Sequence, residues 1–111
     1  MIRLASYPEV KAGVSMHPSH PAVARFNGED ERALLEAAKE SKQLFMPTKQ
    51  DAKSVKEGGL GREVLGDSLT VLAFPEMSHG FTTRGDLGNA KVRRDVNRAL
   101  FAAVEFFQQH L

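Results

Sequence analysis

The chain has 111 residues, enough for one domain, and its 41% hydrophobic and 26% charged residues are typical of an ordinary globular protein. Fifteen basic residues against fourteen acidic ones leave a net charge of +1, so charge gives no reason to expect a nucleic acid or an acidic membrane surface as a partner. The absence of cysteine excludes disulfides, thiolate metal sites and a cysteine nucleophile within these residues, and it fits a reducing compartment.

The amino terminus has no long apolar segment of the kind that a signal peptide needs. The longest apolar runs are also far shorter than the roughly 20 residues that cross a membrane as a helix. We therefore expect a soluble, cytoplasmic protein with no membrane partner, in which residues 1–111 form a single domain.

The first half of the chain predicts a strand, a loop and a helix. Residues 11–16 form a short strand candidate. Residues 17–21 contain two prolines, each of which disfavours helical geometry in the residue before it, so this segment is expected to be a loop. Asn27 or Asp30 can then cap a helix that runs to about residue 40.

The second half predicts two more strands with a short helix between them. Residues 43–46 and 69–74 are mostly apolar runs without alternation, as expected for strands of a parallel sheet that helices cover on both faces. A polar loop at residues 48–55 and a short helix that ends at Leu65, before Gly66, lie between these strands.

The final helix, at residues 90–110, is the most clearly predicted element. Asn89 is suited to cap it, and Lys91 and Asp95 lie one turn apart, so they are expected to face each other. The alternation of strands and helices predicts an α/β protein, with a parallel sheet between two layers of helices. Apolar residues of this helix recur at spacings of three and four, which predicts one buried stripe: Val92, Val96, Ala99, Leu100, Ala103, Val104, Phe107 and Leu111.

One histidine directly follows the third predicted strand, in the run 77–81 (MSHGF). Enzymes of the α/β class place a general base at the carboxyl end of a strand, and Gly80 and Phe81 can bend and anchor the loop that carries His79. Asp51 follows the second strand, so it would lie at the same edge of the sheet and could fix the tautomer of His79. The alternatives are a histidine that caps a strand end and an aspartate that forms a turn.

Other candidates for a nucleophile or a metal site are weaker. Ser15 lies in a partial G-x-S-x-G motif without the closing glycine, and it is expected to be an ordinary strand residue. His17, His20 and His79 could together bind zinc, but prolines prevent the helix that the spacing of the first two would need. We predict no metal site and no cofactor, and residues 58–61 (GGLG) lack the pattern of a phosphate loop.

Arg84 follows His79 closely in the same predicted loop. It could bind a substrate carboxylate through a bidentate fork. It could equally form a solvated ion pair with Asp86, two residues further along. The sequence leaves both interpretations open.

A family resemblance is carried by four segments: residues 10–19 (VKAGVSMHPS), 45–47 (FMP) with the loop that leads to Asp51, 74–81 (FPEMSHGF), and 84–86 (RGD). Together they resemble the carboxyl-terminal half of the dienelactone hydrolase family, which has the α/β-hydrolase fold, and the resemblance spans residues 7–111. It implies that Asp51 is the acid and His79 the base of a catalytic triad. It also implies that Arg84 binds a substrate carboxylate.

The resemblance implies a partial α/β-hydrolase fold that lacks the amino-terminal strands and the nucleophile elbow. In this family the nucleophile precedes the strand that ends in H-P-S, so the elbow would fall before Met1, as in a split or truncated gene product, and the oxyanion hole would be lost with it. The implied substrate is a small-molecule ester or lactone, and the chain alone is expected to be inactive or nearly so. The alternative is a non-enzymatic homo-oligomer that pairs through a sheet edge exposed at residues 11–16.

Overall fold

A computed structural model describes all residues, 1–111, and its centre is a three-stranded parallel sheet. The strands are β1 (Ala12–Met16), β2 (Lys42–Met46) and β3 (Leu69–Val71), in the spatial order β1-β2-β3. Both pairs are parallel, with Val14 opposite Leu44 and Leu44 opposite Thr70. All three carboxyl ends therefore meet at one edge of the sheet, as the sequence predicts, and the α/β class is confirmed.

Five helices surround the sheet: α1 (His20–Phe26), α2 (Glu31–Ala38), α3 (Leu60–Leu65), α4 (Phe81–Arg84) and α5 (Ala90–His110). The side chains of β2 alternate between the two faces, so Leu44 and Met46 pack with α5 while Phe45 packs with α2 and α3. The continuous apolar run of β2 is thus buried on both sides, as its composition predicts. No helix of the structure has the length and apolar character needed to cross a membrane.

The prediction of a loop through residues 17–21 is wrong in its second half. Pro21 lies in the first turn of α1, where the missing N–H of proline would have no partner within the helix anyway. The third strand is also shorter than predicted, ending at Val71, although a single bridge between Thr48 and Phe74 continues the pairing of the two chain segments. This bridge holds the loops that follow β2 and β3 side by side.

Helix α5 begins and ends where it is predicted, but two expectations about its side chains are wrong. Lys91 does not pair with Asp95: its Nζ lies 3.5 Å from Glu76 Oε2, while Asp95 binds Arg94. Four members of the predicted buried stripe are exposed, because the sheet covers only the half of the stripe that includes Val96, Ala99 and Ala103. The exposed four are Leu100, Val104, Phe107 and Leu111.

Replacement of Asn89 by alanine is expected to lower the free energy of unfolding by about 1 kcal/mol. The Asn89 side-chain oxygen accepts hydrogen bonds from the backbone N–H groups of Lys91 and Val92, and alanine would leave both without this partner. Urea denaturation measures the change. Asn97, exposed in the middle of α5, is the control, since Asn97→Ala is expected to leave stability unchanged or slightly raised. Equal losses in the two variants would contradict the capping role.

Candidate active site

Asp51 and His79 meet at the carboxyl edge of the sheet. Asp51 follows β2 and His79 follows β3, and the distance from Asp51 Oδ1 to His79 Nδ1 is 2.6 Å. The prediction that these two residues lie together is confirmed, because parallel neighbouring strands deliver their following loops to the same place. The bridge between Thr48 and Phe74 joins these two loops.

The Asp51 carboxylate is almost fully enclosed, with 4% of its side chain exposed. Its second oxygen, Oδ2, accepts hydrogen bonds from the backbone N–H and the hydroxyl of Thr48, at 2.6 and 2.9 Å. A carboxylate only accepts hydrogen bonds, so the short contact requires the hydrogen to be on Nδ1 of His79. This tautomer leaves a lone pair on Nε2, which is the state that a general base needs.

The loop that carries His79 is held at several points. Gly80 has a φ of 89°, a conformation that glycine adopts readily, and the buried Phe81 ring packs 5.2 Å from the ring of Phe74. The backbone N–H of His79 donates to the side chain of Gln50. The His79 side chain itself is 38% exposed and borders a cavity of about 530 Å³, which also adjoins Ser15.

His17, for which the sequence suggests only the role of a metal ligand, is a neighbour of His79. It follows β1 and so reaches the same edge, and it is the only residue other than glycine with a positive φ, 40°. Its Nε2 lies 2.7 Å from the hydroxyl oxygen of Thr82, and its ring stands edge-on to the ring of His79 with 4.9 Å between centroids. Burial, and then the proximity of His79, lower the pKa of His17 below its ordinary value of 6.5.

Arg84 lies at the end of α4 with its guanidinium over Gly80. A Cβ at Gly80 would come within 2.6 Å of Arg84 Cζ, but this is the far end of a flexible side chain that can shift, so it is the positive φ of 89° that favours glycine there. The alternative of an ion pair with Asp86 is not realised: the Asp86 carboxylate accepts from the backbone N–H of Gly88 instead. The exposed guanidinium makes no ion pair with any residue of the chain, which leaves it open to a carboxylate.

Ser15 and His20 do not join the pair. Ser15 lies within β1, and no serine or threonine hydroxyl is hydrogen-bonded to Nε2 of His79, whose only side-chain hydrogen bond is the one to Asp51. The His20 ring packs 5.5 Å from the ring of Phe45, with its Nε2 3.2 Å from Glu31 Oε1 but without hydrogen-bond geometry. No group of three or more histidine, aspartate or glutamate side chains is arranged to hold a metal ion.

A fall in pH is expected to destabilise the fold through His20. Burial of the ring lowers the pKa of His20 below its ordinary 6.5, and the Glu31 carboxylate only partly opposes this. The unfolded chain therefore takes up a proton at a higher pH than the folded chain does. The free energy of unfolding is lost as the pH falls from above 6.5 towards the lower folded value, by at most about 1.4 kcal/mol per pH unit for one group.

Urea denaturation at about pH 7.5 and about pH 5.5 measures this loss. His20→Gln is expected to reduce the difference between the free energies of unfolding at the two pH values. Burial lowers the pKa of His17 too, so His17 contributes to this difference with the same sign. His110→Gln, at the end of α5, is the control and is expected to keep the full difference. An unchanged difference in His20→Gln would show that this ring is not the cause.

Comparisons of the chain with protein-family models, with curated proteins and with solved structures gave no significant match. The chemistry of the site therefore follows from its own residues. An imidazole whose Nδ1 is held by an enclosed carboxylate, and whose Nε2 is free beside an open cavity, can take a proton from a molecule in that cavity and return it later.

Proposed function

We propose that Asp51 and His79 are the acid and the base of a carboxylic ester or lactone hydrolase of the dienelactone hydrolase type. The observation that carries this proposal is the 2.6 Å contact between Asp51 and Nδ1 of His79 at the carboxyl edge of a parallel sheet. The resemblance of four sequence segments to that family supports the same assignment, and so does a parallel sheet with helices on both faces, the general arrangement of the α/β-hydrolase fold.

In this mechanism Nε2 of His79 accepts the proton of the attacking nucleophile as the nucleophile bonds to the ester carbonyl carbon. Asp51 stabilises the imidazolium that results. His79 then gives the proton to the departing alkoxide when the bond to the leaving group breaks. A water molecule, deprotonated by the same nitrogen, then cleaves the acyl intermediate and restores the nucleophile. The guanidinium of Arg84, beside His79, would bind a carboxylate of the substrate.

The nucleophile is not among the groups that contact His79. The chain has no cysteine, and Nε2 of His79 has no hydroxyl partner. The proposal therefore requires a nucleophile, and the donors of an oxyanion hole, from a molecule or polypeptide segment that enters the cavity beside His79. With water or a small alcohol as that molecule, and without an oxyanion hole, the rate enhancement is expected to be limited to what general-base catalysis by His79 supplies.

A small alcohol added as the nucleophile tests the proposal. The protein is incubated with p-nitrophenyl acetate and increasing ethanol, and the ethyl acetate formed is measured along with the p-nitrophenolate released. The ethanol-dependent rate of p-nitrophenolate release is expected to exceed the uncatalysed rate in the wild type and in His110→Gln. In His79→Gln it is expected to fall to the uncatalysed rate. His110→Gln is the matched control because it removes an imidazole far along the chain from the site.

The ethanol-dependent part is decisive because any exposed imidazole can attack this ester directly, without ethanol. An ethanol-dependent rate that is the same in the wild type and in His79→Gln would overturn the proposal.

The second candidate function, a non-enzymatic assembly module, is favoured by the free edge of β1 and the uncovered apolar residues of α5.

A further inference from the structure

The outer edge of β1 offers a row of unpaired backbone groups. In the register with β2, the odd-numbered residues direct their N–H and C=O groups at β2, as His17 N–H to Met46 O shows. Since these groups alternate in a parallel pair, Ala12, Val14 and Met16 direct theirs away from the sheet. These six groups make no hydrogen bond with the loops or turns of the chain.

The sequence of this edge strand lacks the charges and prolines that often prevent pairing with another chain. Natural edge strands are protected by lysine, proline, inward charges, bulges or shortness. The sequence of β1, AGVSM, has no charge and no proline, and its five residues pair along their whole length with β2. The opposite edge strand, β3, is only three residues long, so shortness protects that edge.

The exposed apolar residues of α5 lie on the same side as this free edge. Leu100, Val104, Phe107 and Leu111 form one flank of the helix, with exposed fractions from 36% for Phe107 to 79% for Leu111. The other flank is charged and faces the segment after β3.

Two contacts fix that orientation. Arg98 lies over the ring of Phe74 at 5.0 Å, and Lys91 pairs with Glu76. Both partners follow β3, so the apolar flank points away from β3 and towards the outer edge of β1.

We propose that two copies of this chain form a symmetric dimer in which their β1 strands pair in antiparallel fashion. A two-fold axis through Val14 places Val14 opposite its own copy and Ala12 opposite the partner's Met16. Each pair then exchanges two hydrogen bonds, so all six free groups of each strand find partners. The two sheets become one sheet of six strands, with both α5 helices on the same face.

The spacing of strands and helices fits this arrangement. Neighbouring strands lie about 4.8 Å apart, and α5 packs on both β1 and β2, about half a strand spacing inside the edge strand. The axes of the two α5 helices would therefore be about 10 Å apart, the distance at which helices pack side by side. Their apolar flanks would face each other and lose the exposure that they have in the single chain.

Sedimentation velocity of the full chain tests the dimer. The wild type is expected to sediment with twice the mass of the 12.2 kDa chain. Val14→Pro removes an N–H that β2 does not use, and Val104→Glu places a charge in the helix contact. Both are expected to halve the mass while the circular dichroism spectrum stays that of a folded protein. Phe26→Glu, at an exposed phenylalanine of α1, is the control and is expected to remain dimeric.

If Val14→Pro does not fold, Val104→Glu alone decides, since its position is on the surface of a single chain. A wild type that stays monomeric at high protein concentration would overturn the proposal. A dimer that Val104→Glu leaves intact would overturn it too, because it would use another surface. The dimer does not depend on the proposed hydrolase chemistry, so His79→Gln is expected to stay dimeric whatever its activity.

Discussion

Replacement of Asp51 by asparagine is expected to lower the ethanol-dependent rate by about 10²- to 10⁴-fold, the contribution that a well-placed general base makes. Thr48 donates both of its hydrogen bonds to the Asp51 carboxylate. In asparagine, the single side-chain oxygen must therefore accept both of them. Its NH₂ group then faces Nδ1 of His79 and requires that nitrogen to accept. The ring hydrogen moves to Nε2, which can no longer take a proton from the nucleophile.

The control for Asp51→Asn is Asp86→Asn, at an exposed aspartate near Arg84 that does not contact His79. It is expected to keep the wild-type rate. Circular dichroism and urea denaturation of both variants separate a change in chemistry from a loss of structure. A folded Asp51→Asn protein with an undiminished ethanol-dependent rate would contradict the role given to the carboxylate.

Replacement of Phe45 by alanine is expected to lower the free energy of unfolding by about 3–5 kcal/mol. Phe45 lies on the central strand with none of its surface exposed, among Leu35, Val55 and Leu69 of one core cluster. Its ring is close enough to Gly61 that a Cβ there would come within 3.2 Å of it, so the removal of the ring leaves a cavity between strand and helix.

Urea denaturation at neutral pH measures the effect of Phe45→Ala. Small domains are stable by about 5–15 kcal/mol, so this one change removes a large part of the total. Phe26→Ala is the control, because Phe26 is 90% exposed and its loss is expected to change stability by less than about 0.5 kcal/mol. Similar losses in the two variants would contradict the position given to Phe45 in the core.

The strands and the long helix could be predicted because composition decides them locally. The apolar run of β2 and the spacing of apolar residues in α5 leave little choice of structure. Helix α1 could not be predicted from the prolines in its sequence. Proline breaks a helix in the middle but is favoured in the first turn, where Pro21 lies. The period of α5 predicts a helix but not which half of its apolar stripe the sheet covers, since that depends on tertiary packing.

The contact of Asp51 with His79 could be predicted because the two residues follow consecutive strands, which lie side by side in the parallel sheet. The contact of His17 with His79 could not be predicted from the sequence. It depends on a positive φ at His17 and on a hydrogen bond to Thr82, 65 residues away, and residue types reveal neither. The only available signal was that His17 also directly follows a strand of the same sheet.

The hydrogen-bonded state of the His79 ring tests the central claim most directly. Nitrogen-15 NMR of the imidazole rings, assigned with His79→Gln, shows which nitrogen carries the hydrogen in the neutral ring. We expect the hydrogen on Nδ1 of His79, with the downfield proton signal of a short hydrogen bond to a carboxylate, and we expect Asp51→Asn to abolish it. A neutral His79 that carries its hydrogen on Nε2 in the wild type would contradict the assignment of this pair as acid and base.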